Sequence, residues 1–309
     1  MTPVLELRAV DYAYPDGSVG LRDCTLTLAR GRRHALLGGN GAGKTTLLQH
    51  LNGLLRPSAG FLLRDGQTVD YGRAGLHELR RRVGLVFQNP DSQLFSAQVE
   101  EDVSFGPLNL GLDEATVRIR VADALDAVGL RDQATRAVHR LSFGQKKRVC
   151  IAGVLAMEPE VLLLDEPMAG LDAGMQTELA GLLDGLVARG VTVLLSTHDV
   201  DFAFGWADEL HLMAAGRCIA SGLAPQLAAQ ADLLHAAGQR APVAPALHAH
   251  LTARGVLPDG PAPRSVAALL DALRALPPLE KDEAMQTQTQ TQTQTQTQTQ
   301  TPTTSDAQQ

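Results

Sequence analysis

The stretch GGNGAGKT, from Gly38 to Thr45, most constrains the fold of this 309-residue chain. It follows the apolar run HALLG, which predicts a buried strand, and leads into TTLLQHL, which predicts a helix. Glycines let backbone amides wrap closely around a polyphosphate, and the helix N-terminus adds positive potential. Lys44 would reach the β and γ phosphates, and the Thr45 hydroxyl would ligate Mg²⁺. The alternative is a glycine-rich turn with a coincidental lysine, and the loop alone does not separate a kinase, a GTPase and an ATPase.

Four short apolar runs predict buried parallel strands of an α/β sheet, because each is apolar on both faces and bounded by helical periodicity or loop. The runs are HALLG, VGLVFQ, VLLLDE and VTVLLST. Near the start of the chain, VLELRAVDYAY and CTLTLARG alternate as half-exposed antiparallel strands do. ELHLMAAGRCIASG predicts a late hairpin around Ala215 and Gly216. The fold class is therefore an α/β core with an antiparallel β subdomain.

Between VGLVFQ and VLLLDE the periodicity becomes helical. Within residues 113–129 one helix face is apolar, and Gly129 supplies a C-terminal stop. The residues of that face are Val117, Val121, Ala124, Leu125 and Val128. We predict a helical subdomain of about residues 89–160, inserted in a domain that spans residues 1–222.

The composition shifts after residue 222 towards Ala, Leu and Pro, which predicts a helical extension over residues 223–283. A one-sided helix is indicated there by Val266, Leu269, Leu270, Leu273 and Leu276. Residues 286–301 are eight Gln-Thr pairs without a large apolar residue to offset the entropy of ordering. Residues 284–309 are therefore predicted to be a disordered tail, although Gln-rich repeats can also aggregate as β-structure.

Charge and cysteine content exclude several classes of function. The net charge of −7 provides no general basic field for nucleic acid, so no nucleic-acid partner is expected. Cys24, Cys150 and Cys218 form no ligand pattern and are interpreted as small buried hydrophobes in a reducing compartment. The sequence shows no signal peptide and no apolar run near the ~18 residues that a membrane-spanning helix needs. We therefore expect a cytosolic protein, whose role at a membrane would be peripheral.

A second motif, VLLLDE, ends a predicted buried strand with two carboxylates. Asp165 is suited to hold Mg²⁺, and Glu166 is placed to polarise a water for attack on the γ phosphate. An apolar strand that ends in Asp-Glu is common by itself. In combination with Lys44 in the phosphate loop, it indicates a site for a nucleotide with Mg²⁺.

Five motifs occur in a characteristic order: the phosphate loop, VFQ, LSFGQ, VLLLDEP and LLSTHD. Over about residues 3–222 the chain therefore resembles the nucleotide-binding subunits of ABC transporters, P-loop NTPases that hydrolyse ATP with Mg²⁺. The resemblance implies these roles: catalysis by Lys44, Gln88, Glu166 and His198; ATP binding by Tyr14, Gly38, Gly39, Asn40, Gly41, Ala42, Gly43, Lys44, Thr45 and Thr46; and Mg²⁺ binding by Thr45, Gln88 and Asp165.

Three of these residues have individual roles in the family. Gln88 would sense Mg²⁺ and the γ phosphate, and His198 would hold the γ phosphate and the attacking water. Tyr14 resembles the aromatic residue that stacks on adenine, although Tyr12 or the Pro15-Asp16-Gly17 turn could equally explain an aromatic there.

The family hydrolyses ATP at sites shared by two subunits that face head to tail, so one copy of the motifs implies a dimer. We expect a second ABC ATPase subunit, with a homodimer favoured over a heterodimer. The partner would contribute in trans Ser142, Gly144, Gln145 and Asp172.

Phe143 departs from the family pattern, which has glycine there. Ser142 and Gln145 have the spacing of a capping box, which places Ser142 at the N-cap and Phe143 at the first position of a helix that runs to about Met157. That position takes ordinary helical dihedrals, so the backbone needs no glycine. Gly39 and Met168 are further departures, and neither supplies a catalytic side chain in the family.

After Gln88 the chain reads NPDSQLFSAQVEEDVSFGPLNLGL, which resembles energy-coupling factor importer ATPases of the cobalt and nickel type. The resemblance implies a peripheral subunit at the cytoplasmic face of the cell membrane. A groove from Gln88 to Phe105 would dock onto a membrane scaffold (T-type) subunit, with indirect coupling to a substrate-binding membrane subunit. Alternatively, a set of residues there simply packs the helical subdomain: Leu94, Phe95, Val99, Val103 and Phe105.

The sequence favours cobalt as the cargo and leaves nickel or a vitamin open. A soluble ABC ATPase of DNA repair or translation would carry a long coiled coil or a second ATPase domain, and an inactive regulator would lack Glu166 or His198. His248 and His250 lie two apart, where helical side chains diverge by about 200°, so the pair predicts no metal site.

Overall fold

The computed structural model describes residues 2–276, which form two β-sheets and flanking helices. The strands are β1 (Leu5–Ala13), β2 (Val19–Leu28), β3 (Arg33–Gly38), β4 (Ala59–Arg64), β5 (Gln67–Thr68), β6 (Val83–Val86), β7 (Val161–Leu164), β8 (Thr192–Thr197), β9 (Glu209–Ala214) and β10 (Arg217–Leu223). The helices are α1 (Lys44–Leu51), α2 (Arg73–Arg82), α3 (Val99–Asn109), α4 (Glu114–Ala127), α5 (Phe143–Leu155), α6 (Ala173–Ala188), α7 (Val200–Trp206), α8 (Ala224–Ala228), α9 (Ala231–Ala236), α10 (Val243–Ala253) and α11 (Val266–Arg274). Residues up to Leu269 form one compact unit, and a second unit begins at Leu270.

The larger sheet has the strand order β10-β9-β3-β8-β7-β6 and confirms the predicted α/β core. Its strands are parallel except for β10, which pairs antiparallel with β9. The four residues of β7 are all buried, as expected of an apolar strand that is covered on both faces. The hairpin between β9 and β10 turns at Ala215 and Gly216, both with positive φ, as predicted.

The smaller sheet is antiparallel, with the order β2-β1-β4-β5. Strands β1 and β2, which pair antiparallel, were predicted as antiparallel strands, whereas β4, β5 and helix α2 were not predicted. The missed signal is Asp65-Gly66, a dipeptide suited to tight hairpins, whose residues have φ angles of 51° and 78° between β4 and β5.

Helices α3, α4 and α5 form the predicted helical subdomain between β6 and β7. Val103, Val121 and Val149 are buried in its core, and Gly129 ends the α4 region with a φ of 67°. The predicted capping box begins α5: Gln145 N–H donates to Ser142 Oγ at 3.2 Å, and Ser142 N–H donates to Gln145 Oε1 at 3.0 Å. Helix α5 ends at Leu155, two residues before the predicted end.

Helices α8–α11 follow the larger sheet, in line with the predicted helical extension. The first part of this region is not a separate layer, because Leu227, Leu234 and Ala237 are buried in the same apolar cluster as Leu212 of β9. The predicted boundaries at residues 222 and 283 remain predictions. The predicted tail, residues 284–309, lies outside the described residues.

The three cysteines differ in burial. Cys24 and Cys150 are buried, as predicted, whereas Cys218 is only partly buried because it lies on the edge strand β10. Burial raises the pKa of both Cys24 and Cys150 to about 12, so neither thiol is a reactive thiolate near neutral pH.

Candidate nucleotide site

The phosphate loop connects the end of β3 to the start of α1. Gly43 has a φ of 101°, and a Cβ there would lie 2.7 Å from the carbonyl oxygen of Gly20, so only glycine fits. The amino group of Lys44 donates to the carbonyl oxygens of Gly38 at 2.7 Å and Gly39 at 3.2 Å. The loop thus encloses a largely buried cation beside the positive end of a helix, an arrangement that suits a polyphosphate.

Asp165 follows directly after β7 and contacts the end of the phosphate loop. The Thr45 hydroxyl donates to Asp165 Oδ2 at 2.6 Å, and the Ser196 hydroxyl of β8 donates to Asp165 Oδ1 at 2.6 Å. A carboxylate and a hydroxyl so close together offer the oxygen ligands that Mg²⁺ prefers. The donor set therefore fits the predicted Mg²⁺ site.

Glu166 and His198 meet at the mouth of the same site. Glu166 Oε2 lies 3.0 Å from His198 Nδ1, and the Glu166 backbone N–H donates to Ser196 Oγ at 2.9 Å. Glu166 has a φ of 46°, which is uncommon for a residue with a Cβ and marks a backbone held by its surroundings. The carboxylate is mostly shielded and the imidazole is exposed, so the pair can present both an acceptor and a donor to a water at the mouth.

These residues line one cavity of about 840 Å³. Its wall includes every predicted catalytic, ATP-binding and Mg²⁺-binding residue of the same chain: Tyr14, Gly38, Gly39, Asn40, Gly41, Ala42, Gly43, Lys44, Thr45, Thr46, Gln88, Asp165, Glu166 and His198. Tyr12 does not line it, and the Tyr14 hydroxyl pairs with Thr46 Oγ1 at 2.8 Å. Of the two tyrosines weighed from the sequence, Tyr14 is therefore the one at the cavity.

The four residues predicted to act in trans lie outside this cavity. Ser142 is exposed, and Asp172 is an exposed N-cap that accepts from Met175 N–H at 2.9 Å. Gly144 is buried against Met175, whose sulfur would lie 2.7 Å from a Cβ at that position. Because Leu171 also lies against Gly144, LSFGQ and the loop that ends at Asp172 pack on each other.

Lys147 is a site residue that the sequence interpretation missed. It is 2% exposed, and its amino group donates to the carbonyl oxygens of Glu166 at 2.8 Å, Pro167 at 2.9 Å and Ala169 at 2.7 Å. Burial lowers the Lys147 pKa from 10.5 to about 8. The available signal was its spacing, since residues 144, 147 and 151 share the buried face of α5.

Gly238 and Gln239 were also missed, although both line the cavity. They follow helix α9, and the carbonyl oxygen of Ala237 accepts from Gly39 N–H at 3.0 Å. Nothing in the local sequence marks these residues, because the contact depends on how the C-terminal helices fold back onto the sheet.

A second, largely apolar cavity of about 720 Å³ lies beside β6 and α3. Phe95 and Phe105 line it and pack edge to face with ring centroids 4.6 Å apart, yet they are 64% and 50% exposed. Val99 and Val103, in contrast, are fully buried. The two interpretations of this stretch therefore apply to different residues: the valines pack the subdomain and the phenylalanines form a groove.

Within residues 2–276, no helix combines the length and the apolar character that crossing a membrane requires.

Residues 21–169 match the family model described as ABC transporter. The chain is 51% identical to the cobalt import ATP-binding protein CbiO of Rhodobacter capsulatus, over 79% of this chain and 87% of that protein. It is 47% identical to the energy-coupling factor transporter ATP-binding protein EcfA of Methanothermobacter thermautotrophicus, over 77% of each.

Solved structures agree with these relatives. The structure of cbiO1 from Clostridium perfringens, described as part of the ABC transporter complex cbiONQ, has a TM-score of 0.68 and 44% identity, covering 76% of this chain and 94% of that one. A dimeric ATP-binding cassette in a post-hydrolysis state, bound to ADP and Pi, has a TM-score of 0.65 and 27% identity, covering 71% of this chain and 98% of that one.

Proposed function

Because this chain belongs to the ABC transporter family, as an ATP-hydrolysing importer subunit of the energy-coupling factor and CbiO type, we propose that it powers cobalt import across the cytoplasmic membrane. The 51% identity with a protein named for cobalt import supports the choice of cargo. The observation that carries the catalytic role is the contact of Glu166 with His198, 3.0 Å apart, at the mouth of the cavity that holds Lys44 and Asp165.

ATP binding would use the whole cavity wall. The adenine ring stacks on Tyr14, the loop amides and Lys44 bind the β and γ phosphates, and the Lys44 amino group exchanges its loop carbonyls for phosphate oxygens. Thr45, Asp165 and Gln88 would hold Mg²⁺. When bound by these residues, Mg²⁺ would supply positive charge that offsets the negative charge of the phosphates.

Hydrolysis would proceed at the Glu166–His198 pair. Glu166 acts as the general base for the attacking water, and His198 orients that water and the γ phosphate. Ser196 supports both carboxylate residues, because it donates to Asp165 and accepts from the backbone of Glu166.

A second copy would complete each ATP site. Ser142, Gly144, Gln145 and Asp172 lie outside the cavity of their own chain, which supports their action on the ATP of a partner. At the N-terminus of α5, the amides of Phe143 and Gly144 have no partner among residues 2–276, and free amides together with the positive potential of a helix N-terminus bind phosphate. We favour a homodimer.

The groove lined by Phe95 and Phe105 would dock a membrane scaffold subunit, which would hold the chain at the cytoplasmic face and couple it indirectly to a substrate-binding subunit. Exposed aromatic pairs are typical anchors of such interfaces. Arg73, Arg80 and Arg81 rim the same groove and suit the carboxyl end of a partner helix.

Uptake of radiolabelled cobalt tests the cargo. Cells that express this chain with its co-purifying membrane subunits should accumulate cobalt, and cells with the Glu166→Gln variant should not. Accumulation of nickel or a vitamin without cobalt would contradict the proposed cargo while leaving the ATPase role intact.

Co-purification tests the docking surface. Phe95→Asp and Phe105→Asp should lose the scaffold subunit, whereas Phe61→Asp, at a residue 59% exposed on the other sheet, should retain it. Retention by all three variants would contradict this docking surface.

A further inference from the structure

Residues 237–243, which we term the C-terminal strap, contact the phosphate loop directly. The carbonyl oxygen of Ala237 accepts from Gly39 N–H at 3.0 Å, and Ala237 itself is buried. Gly238 has a φ of 69°, and a Cβ there would lie 3.7 Å from Gly39 Cα. The strap therefore runs along the outer edge of the loop.

The other end of the strap is attached to helix α7. The Arg240 guanidinium donates to the Asp201 carboxylate, and Val243 N–H donates to Asp201 Oδ1 at 2.6 Å. Asp201 lies in the first turn of α7, three residues after His198. The strap thus bridges two parts of the nucleotide site, the phosphate loop and the segment that carries His198.

Between these two attachments, Gln239 lines the nucleotide cavity. Its backbone N–H donates to Leu234 O at 2.8 Å, which anchors the residue at the end of α9. Its side-chain carboxamide has no hydrogen-bond partner among residues 2–276. A half-buried amide at the wall of a phosphate site is a donor available to a ligand.

Gln239 follows directly after the part of the strap that is attached to the start of the phosphate loop. Lys44 Nζ, whose place is beside the β and γ phosphates, is 3.2 Å from the carbonyl oxygen of Gly39, and the strap is bonded to the N–H of that same residue. Tyr14, in contrast, forms a hydrogen bond with Thr46. Thr46 comes after Lys44 in the chain, whereas Gly39 comes before it.

We propose that the C-terminal strap is part of the nucleotide site, with the carboxamide of Gln239 donating a hydrogen bond to the terminal phosphate of ATP. The Ala237 contact fixes the loop peptide next to that phosphate, and the Asp201 contacts align the strap with the segment of His198. This inference rests on the proposed role of the phosphate loop, and it gives the C-terminal extension a direct part in distinguishing ATP from ADP.

Equilibrium binding of AMP-PNP and ADP, measured by calorimetry with Mg²⁺, tests the inference. Gln239→Glu places a carboxylate where a donor stood, so it should weaken AMP-PNP binding at least about tenfold and ADP binding less than about threefold. Gln239→Ala removes the donor alone and should weaken AMP-PNP binding by about threefold to tenfold. The control Gln226→Glu adds the same charge at an exposed position of helix α8, outside the cavity, and should change neither affinity.

Equal effects of Gln239→Glu and Gln226→Glu would overturn the proposal, as would equal losses of AMP-PNP and ADP binding. Thermal unfolding without nucleotide reports whether the Gln239→Glu protein is folded. If it is not, the proposal is tested by whether Gln239→Ala weakens AMP-PNP binding more than ADP binding. Failure of the unaltered chain to bind either nucleotide would instead contradict the proposed role of the phosphate loop.

Discussion

The nucleotide cavity and the surface around LSFGQ belong to the same chain but differ in how their polar groups are satisfied. In the cavity, Lys44 and Asp165 are buried and hydrogen-bonded within the chain. At the LSFGQ surface, Ser142 and Phe143 are exposed, and within residues 2–276 the capping box is the only side-chain partner of the first amides of α5. The cavity therefore encloses its polar groups in walls of the same chain, whereas the LSFGQ surface exposes helix-terminal amides without enclosing walls.

The most severe test of this contrast is Ser142→Arg. A long side chain at the N-cap would block approach of a second subunit and remove the capping hydroxyl, so we expect ATP turnover to be abolished. ATP binding to the cavity of the same chain should persist, because Ser142 does not line it. Turnover assays and equilibrium ATP binding on the same preparation give both readings.

Mixing subunits sharpens the test. Homodimers of Ser142→Arg and homodimers of Lys44→Ala should each be inactive. A mixed dimer would contain one intact site, formed by the phosphate loop of the Ser142→Arg subunit and the LSFGQ segment of the Lys44→Ala subunit. Random pairing makes half of the dimers mixed, so roughly a quarter of the original turnover should return. No recovery in the mixture, despite exchange of subunits, would argue against sites shared between two chains.

Glu166→Gln tests the catalytic end of the cavity. Loss of the general base should reduce turnover by about 10²–10⁴-fold while the isosteric amide preserves ATP binding. ATP should then trap the dimer, which size-exclusion chromatography with and without ATP would detect. Unchanged turnover in this variant would remove Glu166 from the mechanism.

Lys147 connects the two regions, because its amino group on α5 holds the turn after Glu166. Lys147→Met leaves three carbonyl oxygens without their donor, and we expect about tenfold slower turnover and a loss of roughly 2–4 kcal/mol in the free energy of unfolding. Lys147→Gln keeps two donors and should recover part of both. Equal turnover in the original protein, Lys147→Met and Lys147→Gln would show that the hydrogen bonds of Lys147 do not position Glu166.

The same residue predicts a dependence of stability on pH. The Lys147 pKa is lowered by burial from 10.5 to about 8, so between these pH values the folded chain releases a proton that the unfolded chain keeps. Below about pH 8 the folded chain bears the full free-energy cost of burying the charged Lys147 amino group. This cost falls as the pH rises towards 10.5, because the folded chain then holds the neutral amine. The free energy of unfolding should therefore rise over this window relative to Lys147→Met, as denaturant titrations at pH 7.5 and 10 would measure.

The smallest effect is expected from Phe143→Gly. The ring is 44% exposed and lies against Gly170, and its position at the first turn of α5 needs neither a large nor a small side chain. Turnover should stay within about threefold of the original, in keeping with the small effects of most surface substitutions. An inactive Phe143→Gly protein would mean that the phenylalanine contributes directly to the shared site.

Much of the fold and of the cavity could be predicted because it follows from local rules. The capping box of Ser142 and Gln145, the hairpin at Gly216 and the phosphate loop each depend on a few consecutive residues, whose backbone preferences are set by adjacent atoms. The buried parallel strands could also be predicted, because a short segment that is apolar on both faces is typical of a parallel strand in an α/β protein. The Asp65-Gly66 hairpin obeyed the same rules and was overlooked.

The sequence by itself thus determined the sheet, the phosphate loop and the kinds of residues that surround it. Only the tertiary structure decided that Lys147 holds the carbonyl oxygens behind Glu166, that Phe95 and Phe105 remain exposed while Val99 and Val103 are buried, and that Gln239 joins the nucleotide cavity. The physical reason is that these contacts join residues far apart in the chain, whose proximity depends on how whole helices pack and not on the preferences of any short segment.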